Sequence, residues 1–394
     1  MKSGYRIIDS DLHVMEPDHF LIDYLQEPYR SKTKVYNNAP PGKVNQMVYE
    51  LGGEVYRGRP GYGGDGGAIQ KLKERRPPPN AFRDLDVNDL LKGMDAEGLD
   101  VAVVFPTHGF GIMTIAAEKL DVDYGSALAS AYNNWMRDFC SADPKRLKPT
   151  SVVNLSDPVQ AAAEARRAVE ELGAVSIVST VNVVNDHQPH DPFYDPLWHE
   201  LNRLGAPICF HPTTYRPKEG TFPRFNAQPD ISGTIAHAIT NPSYQMMNVG
   251  SFTVGGVFER FPNLRVGFLE TSASWAAWLL WRLDDHWEMF GPDEGWTLSM
   301  KPSDYFRRQG WVAMEPEEQT AKYLIDFAGD NNIVISTDFP HPDSIWPNAM
   351  DEFIELDALS EQAKRKILWD NSTRLYNLDP ETAENQRTLS PRTV

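Results

Sequence analysis

Asp11 and His13 flank a leucine near the start of the chain, in Arg6-Ile-Ile-Asp-Ser-Asp-Leu-His-Val-Met-Glu-Pro17. Ile7 and Ile8 open a buried strand, and alternation along a strand turns positions two apart toward one face. A carboxylate and an imidazole on one face of a strand tip make half of a metal site. Three later apolar runs end in the same kind of chemistry. Pro207–Phe210 runs into His211, Arg265–Leu269 into Glu270, and Ile333–Ser336 into Asp338, with His341 three residues on; Glu16 follows the first run. Two imidazoles and three carboxylates brought to one place are costly to bury without a cation, and a divalent ion offsets their repulsion.

The elements that must bring them together are legible as alternating apolar runs and helical patterns. Strands are expected at Tyr5–Ile8, Val101–Phe105, Thr150–Leu155, Val175–Thr180, Pro207–Phe210, Arg265–Leu269, Gly310–Ala313 and Ile333–Ser336. Amphipathic helices are expected at Asp157–Leu172, Pro196–Leu204, Trp275–Trp287 and Glu317–Phe327. Eight β-α units predict an α/β fold, the parallel (β/α)8 TIM barrel, in which all C-terminal strand ends meet at one face. An open doubly wound sheet would carry a glycine-rich phosphate turn after its first strand, and none stands there.

With 394 residues, 41% of them hydrophobic, the chain suits one large barrel domain over residues 1–378. Two long insertions are expected, one after strand 1 (about 20–90) and one after strand 5 (212–262). Residues 379–394 read as a polar C-terminal tail. The first insertion carries Gly52-Gly-Glu-Val-Tyr-Arg-Gly-Arg-Pro-Gly-Tyr-Gly-Gly-Asp-Gly-Gly67, a substrate lid or a plain surface loop.

The net charge of −17 argues against nucleic acid or an anionic membrane as partner. A small-molecule substrate is expected, and an assembly of identical chains. Cys140 and Cys209 read as reduced and structural, which fits a cytoplasmic protein. The N-terminus shows no long apolar signal segment, and no apolar run reaches 18 residues.

More specific marks are Asp9-Ser-Asp-Leu-His-Val-Met-Glu-Pro17, Ala102-Val-Val-Phe-Pro-Thr107, Asp191-Pro-Phe-Tyr-Asp-Pro-Leu-Trp198, Phe210-His-Pro212, Gly256-Val-Phe-Glu-Arg-Phe-Pro-Asn-Leu264, Ser336-Thr-Asp-Phe-Pro-His341 and Asn371-Ser-Thr-Arg-Leu-Tyr376. Through them almost the whole chain resembles the amidohydrolase superfamily, in the amidohydrolase-related branch that contains aminocarboxymuconate-semialdehyde decarboxylase. The resemblance implies a (β/α)8 barrel with a divalent ion, usually zinc or manganese, between strands one, five and eight. His13, His211 and Asp338 would be ligands, with Asp11 in the first ligand position. Two positions depart from the decarboxylases. Asp11 stands where His or Glu is common, and Glu270 stands where a proton-handling His is usual.

Glu270 is therefore open to two roles, general base or metal ligand. The first functional reading is a metal-dependent hydrolase or decarboxylase of a small carboxylated compound, aromatic acids included. In it the metal activates water or polarises a carbonyl, and Glu270 moves a proton near Asp338. The alternative is a non-haem di-iron, oxygen-activating hydroxylase with Glu270 as a ligand. A barrel that only binds ligand is a third reading. Zinc, manganese or iron, as one ion or two, fits the set Asp11, His13, His211, Glu270 and Asp338. His237, in Thr234-Ile-Ala-His-Ala-Ile239, is a pocket candidate, His108 a substrate-facing one, His341 a group that orients Asp338, and Glu16 a supporting or substrate-facing group.

Overall fold

The computed structural model describes residues 2–38, 47–57, 86–180, 184, 186–213, 236–341 and 344–378. Strand β1 (Ile8–His13) is followed by a small antiparallel meander, β2 (Thr33–Asn37), β3 (Met47–Leu51) and β4 (Glu54–Arg57). Seven more strands complete the main sheet: β5 (Val101–Phe105), β6 (Leu147–Val152), β7 (Ser176–Thr180), β8 (Ile208–His211), β9 (Val266–Phe268), β10 (Gly310–Met314) and β11 (Ile333–Ile335). Each pairs in parallel with the next in the order β1-β5-β6-β7-β8-β9-β10-β11. With helices between them, these strands form the (β/α)8 barrel, and their buried Val, Ile, Leu and Phe side chains belong to one apolar core.

The first strand lies later than its apolar residues suggest, over Ile8–His13 rather than Tyr5–Ile8. Its chemical residues are inside the ladder, and all six positions are buried. The register against β5 shifts between Asp9 and Leu12, so Ser10 and Asp11 lie in a bulge. Likewise β6 begins at Leu147, where Lys148 and Pro149 disguise a strand that pairs with Ala102–Val104. The helix expected at Asp157–Leu172 is found at Pro158–Leu172. Asp157 caps it by accepting from the amides of Val159 and Gln160, and Gly173 in the left-handed region ends it.

The seam between β11 and β1 is closed by individual bonds. The His13 amide donates to the Phe339 carbonyl (2.8 Å) and the Ser336 hydroxyl to the Asp11 carbonyl (3.3 Å). The Asp9 carboxylate accepts from the Thr337 amide (3.3 Å) and from the Thr337 hydroxyl.

In the first insertion, Gly52 and Gly53 form the β3–β4 turn at positive φ. Residues 58–85, most of the glycine-rich run, lie outside the described residues, as does the tail 379–394. The described part of the second insertion holds the π-helix Ala236–Thr240 and the α-helices Asn241–Phe252 and Val257–Arg260. No described helix is long and apolar enough to cross a membrane.

Glu16, a candidate for a supporting or a substrate-facing role, is tied into the fold beside the site. Its carboxylate accepts from the amides of Thr107 (3.2 Å), His108 (2.9 Å) and Gly109 (3.0 Å) and from the Tyr132 hydroxyl (2.7 Å). It thereby holds the N-terminus of the helix His108–Lys119, where a negative charge is favoured. Glu16→Gln turns an amide hydrogen toward these donors. The expected loss is about 1–3 kcal/mol, the cost of a buried donor left unmatched. The urea midpoint measures it, and an unchanged midpoint contradicts the anchoring role.

Candidate metal centre

The strand ends bring five side chains together. His13 closes β1 and His211 closes β8, both fully buried in the barrel mouth. Each ring has one nitrogen committed: His13 Nδ1 lies 2.8 Å from the Pro106 carbonyl, and His211 Nδ1 2.6 Å from the Pro212 carbonyl. A carbonyl only accepts, so both Nδ1 atoms carry hydrogen, and each neutral ring presents a lone pair at Nε2. Those two Nε2 atoms face each other at 3.1 Å.

Around them stand three carboxylates. Asp11 Oδ1 is 3.5 Å from His13 Nε2, and Asp11 Oδ2 is 3.7 Å from His211 Nε2. Glu270 Oε2 is 2.7 Å from His211 Nε2, and Asp338 Oδ1 is 3.3 Å from His13 Nε2. Neither oxygen of fully buried Asp11 has a hydrogen-bond partner. Asp11–His13–His211, His13–Asp338–His341 and His211–Glu270–Asp338 each bring three donor atoms within 4.8 Å of one another. A proton between the two imidazoles would relieve one contact. A divalent cation relieves the lone-pair repulsion, the orphaned Asp11 oxygens and the like charges together, and the donor set of two nitrogens and several oxygens suits one.

The electrostatics carry the same signature. Burial, and then the negative charges of Glu270, Asp338 and Asp9, push Asp11 well above the usual carboxylate range. Burial, with the neighbouring His341 and His211, drives His13 well below the usual imidazole range. For His211 burial also opposes protonation, but Glu270 and Asp11 outweigh it and its pKa rises. The site attracts positive charge and is poor at holding it as protons on His13.

Supporting contacts fix these groups. His341 Nδ1 is 2.7 Å from Asp338 Oδ1, its Nε2 is 3.0 Å from the Thr107 hydroxyl, and its ring stacks on His13 at 4.0 Å. Phe110 stacks on His211 at 4.6 Å and 8°, walling one side. His108 is buried, and burial lowers its pKa. Its amide serves the Glu16 anchor. His237 belongs to the π-helix Ala236–Thr240, and its side chain lies outside the described residues.

Two supporting carboxylates escaped the sequence reading. Asp9 accepts from the Asp11 amide (3.1 Å) as well as from Thr337, so one side chain ties the strand bearing Asp11 to the segment bearing Asp338. Burial raises its pKa to about 6. Its place two residues before Asp11 was the available signal. Glu318 accepts from the amides of Ala273 (2.9 Å) and Ser274 (2.7 Å) and from the Ser274 hydroxyl, and so holds the loop after Glu270. In the polar stretch Glu315-Pro-Glu-Glu318 nothing distinguishes it from a solvated residue.

Comparison with known proteins gives the chain a family and relatives. Residues 8–378 match the Amidohydrolase family, and the chain belongs to it. The 2-amino-3-carboxymuconate-6-semialdehyde decarboxylase of Dictyostelium discoideum is 25% identical over 307 residues, 76% of this chain and 80% of that protein. The gamma-resorcylate decarboxylase of Rhodococcus jostii is 26% identical over 308 residues, 75% of this chain and 89% of the relative. Among solved structures, the 5-carboxyvanillate decarboxylase of Novosphingobium aromaticivorans, complexed with manganese and 4-hydroxy-3-methoxy-5-nitrobenzoic acid, aligns with a TM-score of 0.67. That alignment covers 96% of this chain and 97% of the other at 17% identity, which establishes a shared fold.

Asp11→Asn separates the electrostatic roles. It removes a buried charge that has no hydrogen-bond partner while keeping the shape. Manganese affinity should fall by about 100-fold or more, at or beyond the upper end of what loss of a supporting group causes. In chelator, the melting temperature should rise above that of the parent, because the folded state no longer confines that charge. Calorimetric titration and a thermal melt read both effects. Unchanged affinity would remove Asp11 from the site.

Proposed function

We propose that this chain is a metal-dependent decarboxylase of small aromatic carboxylates. The observation that carries the reading is the pair of inward Nε2 lone pairs 3.1 Å apart, ringed by Asp11, Glu270 and Asp338 at the C-terminal mouth of the barrel. Two relatives whose names denote decarboxylases align over three quarters of the chain and support it.

His13, His211 and Asp11 form the closed side of the site and would hold the ion, with Asp338 and Glu270 completing it. A divalent ion there, manganese by the analogy of the related complex, supplies Lewis acidity toward the oxygens of a carboxylated substrate. The remaining work falls to the chain. The Asp11 side chain is sealed from solvent, whereas Glu270 and Asp338 keep 15% and 9% of theirs exposed. These two carboxylates face the side from which substrate and protons arrive. In decarboxylation the bond between ring carbon and carboxylate breaks, its electron pair stays on the ring carbon, that carbon takes a proton, and CO2 leaves. Glu270 is the group assigned to handle that proton, beside Asp338, which His341 orients. The ring of Phe110 excludes water from one flank of His211. His237 and His108 remain pocket candidates. Buried free thiols at Cys140 and Cys209 support a cytoplasmic setting.

The oxygen-activating alternative needs two irons. A manganese-loaded preparation that releases CO2 from 2,6-dihydroxybenzoate or 5-carboxyvanillate without consuming oxygen supports the decarboxylase. Oxygen uptake with two bound irons would replace it with the alternative. Inactivity toward a panel of hydroxylated aromatic acids, with metal bound, would sink the proposed substrate class. Within an active preparation, Glu270→Gln decides its own role. As proton carrier it keeps the metal and slows turnover about 10²–10⁴-fold; as ligand it loses metal in proportion to activity.

A further inference from the structure

The peptide unit between Ser10 and Asp11 lies in the bulge of β1, where the register against β5 is broken. Its two polar groups are held by side chains. The Asp11 amide donates to the Asp9 carboxylate (3.1 Å), and the Ser10 carbonyl accepts from the Tyr376 hydroxyl (2.7 Å). A peptide unit is planar, so fixing both of its ends fixes the plane, and with it the direction in which Asp11 leaves the backbone. Asp9 holds one end from within the strand. Tyr376 holds the other from the helix Asn371–Tyr376, 366 residues away in the chain. Ser372 on the same helix adds a second tie to Ser10, hydroxyl to hydroxyl at 2.7 Å.

Tyr376 reaches further than Ser10. Its oxygen also accepts from the Cys209 thiol on β8 (3.8 Å). Strands β1 and β8 are not neighbours: β5, β6 and β7 separate them on one side of the barrel, and β9, β10 and β11 on the other. A hydroxyl that touches both must lie inside the barrel, where side chains stack in layers. Ser10 stands three residues before His13, and Cys209 two before His211. The phenol therefore spans, one layer down, the same two strands whose imidazoles meet at 3.1 Å. Tyr376 is buried, and burial, then Cys209 and Asp11, push the phenol well above its ordinary range, so it keeps the hydrogen that it donates. We propose that Tyr376 is a positioning residue of the metal centre. Its hydroxyl holds the Ser10–Asp11 peptide and Cys209 at the separation that lets Asp11, His13 and His211 share one divalent ion. The inference rests on the metal centre and not on the reaction catalysed.

Calorimetric titration of the full chain with manganese, beside a thermal melt in chelator, tests it. Tyr376→Phe removes one oxygen and keeps the ring. Its circular dichroism should match the parent, and its dissociation constant for manganese should rise about 10-fold or more, the range for loss of a group that orients a ligand. A role in packing alone would lower the melting temperature in chelator and leave the constant of the folded protein unchanged; that result overturns the proposal. Because Tyr376 acts through Asp11, adding Tyr376→Phe to Asp11→Asn should raise the constant by much less than Tyr376→Phe does alone, and fully additive losses overturn the proposal as well. If Tyr376→Phe does not fold, Cys209→Ala removes only the contact on β8: a weaker manganese affinity supports the strut, and an unchanged one overturns it. A parent that binds no manganese removes the metal centre itself, and the proposal with it.

Discussion

Three carboxylates and two imidazoles held within a few ångströms, in a site where Asp11, His13 and His211 are buried, are the constraint on which the rest of this structure turns. Protons satisfy it only in part, on His211 against Glu270. Both Nδ1 atoms are spent on carbonyls, His13 resists protonation, and Asp11 has no donor near either oxygen. A fold that assembles such a group must fix it rigidly enough that the side chains cannot swing apart. A parallel barrel does so because strand ends remote in sequence are neighbours in space and share one rim.

The rim is most specialised at the β11–β1 seam, where three of the five groups sit. Elsewhere the strands are joined by parallel ladders, whereas here the junction runs through Asp9, Thr337, Ser336 and the His13 amide. Side chains can set a geometry that a regular ladder cannot. The bulge between Asp9 and Leu12 frees the backbone around Asp11, and the Asp9 carboxylate then accepts from both the Asp11 amide and Thr337. A cation bound by Asp11, His13 and Asp338 would lie across the same seam. Metal affinity and closure of the barrel are therefore expected to be linked, because both draw on the same few atoms.

Much of this was legible in the sequence because it is periodic or repeated. Eight apolar runs, four of them ending in His, Asp or Glu, announce a parallel barrel with a charged rim, and Asp11, His13, His211, Glu270 and Asp338 do converge. Strand boundaries were less legible. The first strand carries Asp9, Asp11 and His13 inside its ladder, and Lys148 and Pro149 disguise the start of β6, so apolarity underestimates both. Glu16 was legible as a residue near the site but not as a helix anchor, since its partners Thr107, His108, Gly109 and Tyr132 lie some 90 residues or more away. Glu318 was not legible at all. Its function is to accept hydrogen bonds from backbone, and a backbone amide leaves no mark in a sequence.

That last point bears on how the site keeps its shape. Glu270, Ser272 and Asp338 adopt left-handed backbone angles, with φ of 50°, 58° and 54°, in residues other than glycine. Such conformations cost of order 1–3 kcal/mol each and persist only where the surroundings over-determine them. The surroundings here do so on both sides of the mouth. Beyond Glu270 and Ser272, Glu318 takes the amides of Ala273 and Ser274, and the Trp275 indole donates to the carbonyls of Thr271 and Ser272. Before Asp338, the Thr337 amide and hydroxyl are both held by Asp9, and that hydroxyl also accepts from the Phe339 amide. The two carboxylates closest to solvent are thus the two presented from strained backbone, each clamped by a second carboxylate, the buried Asp9 on one side and the half-buried Glu318 on the other. Strain of this kind turns a side chain out of the strand direction toward the centre of the mouth, where a strand-end residue with ordinary angles would point into the barrel or away from it.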